Sequence, residues 1–148
     1  MKRIVVIVGT LLLGVGAVMA QQDALKNAQT YMKGNGKNAG ALAAMVKGEK
    51  PYDQATVDTA FAQFEDTIKN LPTLFPESIK GLKAEGDYST SPKIWEDKAG
   101  FSEHIASFGK AVSEAKAQIK DLDSLKAAFP AVGKQCGGCH ETFRVKNS

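Results

Sequence analysis

Cysteine, histidine and tryptophan are scarce in this chain, at two, two and one in 148 residues. Two cysteines cannot supply the disulfide framework of a small stapled domain. Five prolines and an aromatic share of 7% are too little for a many-stranded β sandwich. Charge of one sign is also missing, because 19 Lys and Arg face 16 Asp and Glu. Two of the basic residues, Lys2 and Arg3, fall in a leader segment, and without them the balance is 17 against 16. A near-neutral chain has no clustered positive patch with which to displace counterions, so nucleic acid is not an expected partner. What remains, 43% hydrophobic and 24% charged residues, is the composition of a folded globular domain with a real core.

The leader is residues 1–20. Met1-Lys2-Arg3 is a positive start, Ile4 to Val18 is an uncharged apolar run, and Val18-Met19-Ala20 ends it on the spacing of a cleavage site before Gln21. The run, ~15 residues with Gly14 and Gly16 inside it, is short of the ~20 that a spanning helix needs. No second apolar run of that length follows. The expected product is an exported, periplasmic protein, residues 21–148, that is not an integral membrane protein.

Helical periodicity dominates the rest. Val57, Phe61, Phe64, Ile68 and Leu71 recur at intervals of 4 and 3, as do Phe101, Ile105, Phe108, Val112, Ala115 and Ile119. Leu122, Leu125, Phe129, Val132, Cys136, Cys139 and Phe143 form a third stripe, and Leu25, Ala28, Met32, Ala39, Ala43 and Val46 share a less regular face. Period-2 alternation is nowhere long enough for a sheet. Asp53 is placed to cap a second helix, Leu71-Pro72 to stop it, Ser91-Pro92 to start a third, and Asp123 or Ser124 to cap a fourth. The spacing predicts helices over 22–47, 53–70, 92–120 and 123–146, with a bend at Pro130 in the last. Short links favour antiparallel neighbours, so the predicted fold is an all-α, up-down-up-down four-helix bundle forming one domain.

One motif carries chemistry. Cys136-Gly137-Gly138-Cys139-His140 has the spacing of a c-type haem attachment site. Two thiols add across the two haem vinyl groups to give thioether bonds, and the adjacent imidazole ligates the iron. On a helix, the three side chains fall within an arc of roughly 100°. The two glycines leave room for a planar macrocycle. A disulfide between Cys136 and Cys139 would close a tiny loop and stabilise little. A dithiol redox pair lacks its βαβ context, and a zinc site needs a fourth ligand beyond Cys136, Cys139 and His140, for which the chain offers only His104 or a carboxylate. One covalently attached haem c is the expected cofactor.

Placed in the last of four helices, this motif resembles the class II c-type cytochromes, the cytochrome c′ family, over essentially all of residues 21–148. Met45-Val46-Lys47-Gly48-Glu49, Leu71 to Pro76, Pro92 to Glu96 and Cys139 to Arg144 read like segments of that family. The resemblance implies an antiparallel four-helix bundle, often dimeric, with haem near one end. It also implies a branch point at the sixth iron position. A non-ligand side chain there leaves an open iron that binds nitric oxide or carbon monoxide, whereas methionine there closes the site. Counted back from Lys47-Gly48-Glu49, that position corresponds to Met32, which makes the low-spin methionine-ligated branch the nearest likeness.

Geometry gives the same residue. In an up-down bundle the first helix runs antiparallel to the fourth, and the level of His140 falls near residues 30–32, whereas Met45 is ~20 Å further along the axis. Core filler is the plain alternative for Met32, and His104 on the third helix is a rival ligand. Where many family members carry an arginine one turn before the sixth-ligand position, this chain has Ala28. Arg144, one turn beyond His140, becomes the candidate propionate contact, with a plain role at the helix C-terminus as its alternative. Trp95 is a candidate for the haem pocket wall or for plain core.

The expected function is an exported monohaem electron carrier, with His140 and Met32 as axial ligands and redox proteins of unspecified identity as partners. The alternative is an open-site gas-binding protein. No constellation of distal acid–base residues points to an enzyme. Helix faces left apolar outside the core would support a homodimer.

Overall fold

The computed structural model describes residues 3–147, and side chains from residue 18 onward. Met1 and Lys2, the charged start of the expected leader, lie outside the described residues. The elements in chain order are α1 (Arg3–Val46), α2 (Gln54–Leu74), a 3₁₀ turn (Glu77–Ile79), β1 (Tyr88–Thr90), α3 (Lys93–Glu96), α4 (Lys98–Gln118), α5 (Leu122–Phe143) and β2 (Arg144–Lys146). No helix among the described residues is long and apolar enough to cross a membrane.

Four of these helices make the bundle. Asn35 on α1 meets Thr67 on α2, and Lys116 on α4 meets Glu65 on α2. Phe101 and His104 on α4 stack on Phe143 at the end of α5. Each successive pair runs antiparallel, and α1 packs against α5 to close the ring. The predicted stripes of α2, α4 and α5 point inward, whereas on α1 the buried residues are Ala28, Leu42 and Met45, because the packed face shifts round that helix in its last turns. Phe61, Phe64, Leu42, Val112, Leu125 and Val132 are fully buried, and Phe64 and Phe108 meet across the core at 6.1 Å.

Boundaries differ from the sequence expectation in five places, each for a local reason. The first helix does not begin at residue 22, because Val18 to Leu25 contains neither proline nor glycine and α1 runs unbroken through the expected cleavage junction. Helix α2 passes Pro72 and ends at Leu74, since the buried Leu71 and Leu74 hold the last turn while Pro72 faces solvent. The third predicted helix is two helices. Asp97 breaks it, and its carboxylate accepts from the Gly100 amide at 2.9 Å to cap α4 afresh. A Cβ on Gly100 would press on that carboxylate, which would have to turn aside to admit it. Helix α5 stops at Phe143 rather than 146, because the last residues turn extended and pair as an antiparallel ribbon, Tyr88 with Lys146 and Thr90 with Arg144. Three residues per strand are too few for alternation to show in the sequence. Finally, the cap of α5 is Asp121, in a reciprocal box with Ser124 (2.8 and 3.0 Å), rather than Asp123 or Ser124. α5 runs unbroken through Pro130, whose ring faces solvent.

Candidate functional site

The site is built on the last two turns of α5. Leu125, Ala128, Val132 and Phe143 bury one face of that helix. Cys136 and Cys139 lie on the same stripe but at its rim, half-buried against the core, with His140 half-buried beside them. Both thiols are free. A Cβ at Gly137 would meet nothing within 4 Å, and one at Gly138 would meet only the His104 ring, at 3.8 Å.

Burial sets the protonation of all three groups. It raises the Cys136 thiol, and it pushes Cys139 up to about 11, with the neighbouring Cys136 adding to the effect. It lowers the His140 imidazole, and the positive charge of Arg144 lowers it further. At neutral pH the polypeptide therefore presents two neutral thiols and a neutral imidazole whose lone pair is free for a metal. Among the described residues there is no group of three or more His, Cys, Asp or Glu that could hold a metal ion.

The surroundings of this face are aromatic. His104 on α4 stacks edge-on against Phe143 (5.5 Å), Phe143 against Phe101 (5.1 Å), and Phe101 against Phe75 (5.8 Å). Trp95, on α3, is buried, and its indole N–H donates to the Phe75 carbonyl at 3.0 Å. Phe143 is the hub of this row. Its place on the cysteine stripe was the sequence signal for it, although the row itself joins three separate elements. Arg144 lies on β2, with its guanidinium 4.1 Å from the centre of the Tyr88 ring.

Three cross-helix contacts fix relative levels. Asn35 is level with Thr67, Ile68 with Gly109, and His104 with Gly138. Stepping along the helices from these points puts Asn27, not the expected residues 30–32, level with His140, and Met32 level with Gln135, about one and a half turns or ~7 Å away, because α1 is set further along α5 than equal helix lengths suggest. Side chains on a helix tilt toward its N-terminus, and α1 and α5 run in opposite directions, so Met32 and His140 lean toward each other. Met32 is half-buried against the core, whereas Met45 is 3% exposed and deep in it.

The family model for cytochrome c′ matches residues 23–144. The chain belongs to the cytochrome c′ family. It is 56% identical to cytochrome c-556 of Rhodopseudomonas palustris over 147 residues, 99% of each chain. Cytochrome c′ of the same organism is 41% identical over 146 residues, covering 99% of this chain and 98% of that one. An NMR-validated structural model of oxidised R. palustris cytochrome c556 superposes with a TM-score of 0.76 at 55% identity, covering 86% of this chain and 99% of that one. As a member of this family, the protein is a class II c-type cytochrome that carries one covalent haem c in a four-helix bundle. Both c-556 and c′ stand among its relatives, so membership alone leaves the sixth iron position open.

Proposed function

We propose that this haem c cytochrome is an electron carrier, with Cys136 and Cys139 holding the haem through thioether bonds, His140 as one axial ligand and Met32 as the other. The haem, when bound, supplies a one-electron couple between Fe(III) and Fe(II). The residues fit that group. Two unlinked thiols and a neutral imidazole share one face of α5, at the rim of an apolar core, with open space over Gly137. Each thiol adds across a vinyl group, its sulfur bonding one carbon and its proton passing to the other, so no oxidant is consumed. Arg144 remains the candidate for a propionate; although β2 rather than the expected helical turn carries it, its guanidinium packs on Tyr88 and its charge reaches His140.

The carrier reading rests on one observation, a half-buried Met32 on the helix that packs against α5, about one and a half turns from the level of His140, with the two side chains leaning toward each other. A thioether is soft and neutral, and methionine–histidine ligation raises the reduction potential relative to stronger donors. Two fixed protein ligands exclude gaseous ligands and keep rearrangement on electron transfer small. Residues 1–20 act as a cleaved export signal, and residues 21–148 work in the periplasm, on redox proteins that meet the carrier through small surfaces. The open-site, gas-binding reading makes the opposite spectral claim. Reduced wild-type protein should keep a low-spin spectrum when carbon monoxide is first added, and Met32→Ala should give a high-spin spectrum that shifts at once. A Met32→Ala protein with an unchanged ferrous spectrum would remove Met32 from the iron.

A further inference from the structure

Between α1 and α2 the bundle core contains a polar contact that packing alone does not require. Thr67 is 0% exposed, and its hydroxyl lies 2.8 Å from Asn35 Oδ1 on α1 and 2.9 Å from the Gln63 carbonyl one turn back on α2. The Gln63 side-chain amide donates to the same hydroxyl at 3.2 Å. A hydroxyl has one proton, so Asn35 and the Gln63 carbonyl compete for it. With the Asn35 amide turned over, its Nδ2 donates to the hydroxyl while the hydroxyl donates to Gln63, and the link between helices stands either way. The helices approach closely here, since a Cβ on Gly34 would sit 3.2 Å from the Gln63 amide group.

Asn35 is three residues beyond Met32, which places it about 60° round the helix and most of one turn along. Gln29, three residues before Met32, lies about 60° to the other side, and its Nε2 donates to the Glu85 carbonyl at 2.8 Å. Met32 is therefore bracketed by two hydrogen bonds that oppose rotation of α1 in either direction. The Gln29 bond is exposed and exchanges with water, whereas the Asn35–Thr67 bond is part-buried and ends on a hydroxyl that is fully buried.

We propose that Asn35 and Thr67 are positioning residues that set the rotation of α1 and so hold the Met32 thioether at the iron, an inference that rests on Met32 being the sixth ligand. A small turn of α1 carries a side chain on its surface sideways. Packing of apolar groups is tolerant of such a shift, but a hydrogen bond to a buried hydroxyl is not. Without the bond, a larger fraction of molecules should have the iron open, and the apparent rate of ligand entry should scale with that fraction.

The test uses haem-loaded protein, reduced and mixed with carbon monoxide, in five variants. Thr67→Val keeps the side-chain shape and deletes the hydroxyl. Asn35→Ala deletes the link from the other helix while leaving Thr67 its bond to the Gln63 carbonyl, so it serves if Thr67→Val does not fold. Thr67→Ser restores a hydroxyl. Val57→Ala, buried near the opposite end of α2, loosens the bundle without touching this contact. Met32→Ala reports whether the underlying ligand assignment holds. Expected are carbon monoxide rates about tenfold above wild type for Thr67→Val and Asn35→Ala, with weakening of the methionine–sulfur charge-transfer band, and near-wild-type behaviour for Thr67→Ser and Val57→Ala. Wild-type rates in both deletions, with Met32→Ala opened, would overturn the positioning role and leave the ligand standing. Equal opening in Val57→Ala would overturn it too, by showing that any loosening suffices. An unopened Met32→Ala would instead sink the ligand assignment itself.

Discussion

Replacing Trp95 by phenylalanine separates a structural tie from a pocket wall. Trp95 is 7% exposed, and its N–H donates to the Phe75 carbonyl at 3.0 Å, fastening α3 to the segment after α2. Phenylalanine keeps an aromatic ring but removes the donor, leaving that carbonyl without its indole partner at a cost of about 1–3 kcal/mol. The lost ring area adds ~1 kcal/mol. For a chain of this length a loss of 1 kcal/mol lowers the melting temperature by about 3–4 °C, so the expected fall is about 6–16 °C. Far-UV circular dichroism of the haem-loaded protein measures it, and the visible spectrum at 25 °C is recorded on the same samples. The spectrum should not move, because the change is made to a hydrogen bond at the outer end of the Phe75–Phe101–Phe143 row. A shifted spectrum with an unchanged melting temperature would put Trp95 against the haem and refute the tie.

Gly137→Ala should lower the yield of haem-loaded protein, since the open space that a Cβ there would enter is the space the macrocycle is proposed to take. Absorbance of the purified variant at the haem bands, against its polypeptide concentration, checks it, and wild-type loading would mean that the macrocycle stands clear of Gly137. The capping carboxylates predict an acid limb. Hydrogen bonds from the Thr56 hydroxyl and amide hold Asp53 below the usual carboxyl value, and those from Ser124 do the same for Asp121. A depressed carboxyl stabilises the fold above its unfolded value, near pH 4, and loses that contribution as pH falls through the lower folded value. Asn at both positions keeps the cap without the titration, so the double variant should show a shallower decline in melting temperature below pH 4 than wild type. Parallel declines would show that these caps do not titrate in that window.

The legibility of this protein divides along physical lines. The haem motif is readable because covalent attachment fixes residue types at adjacent positions, which leaves a local record in Cys136 to His140. The bundle is readable because each long helix must bury a stripe, and the stripes through Phe64, Phe108 and Val132 are the ones found in the core. Contacts between segments leave no such record. Nothing in the intervals of the stripes shows that Thr67 and Asn35 meet, because threonine at a core position looks like one more β-branched residue. The break at Asp97 is similar. Apolar spacing continues from Ile94 to Phe101 on either side of it, and only the cap geometry with Gly100 reveals two helices. Met32 falls between these cases, since helix lengths give its level only to within about one and a half turns while its rotation depends on tertiary contacts.

The segment least readable from periodicity, the connection from Phe75 to Ser91, also ties the working end of the bundle together. Asn147, just past β2, donates through Nδ2 to the Ala84 carbonyl at 3.2 Å and to the Gly86 carbonyl at 2.6 Å, and accepts from the Ser89 hydroxyl at 2.6 Å. The Ser89 hydroxyl in turn accepts from the Ala84 amide at 2.9 Å. From the same loop, the Glu85 carbonyl accepts from Gln29 on α1. One connection therefore grips both the end of the chain that follows His140 and the stretch of helix that carries Met32. Under the proposed ligation by His140 and Met32, a redox centre held from two different helices needs those helices to keep their separation while the metal's charge changes. Direct packing of α1 on α5 gives part of that constraint, and a loop fastened to both gives the rest. An ordered connection at this end of the bundle, where an unanchored one would have satisfied the chain topology equally well, is what the proposed carrier role, with its small structural rearrangement, requires.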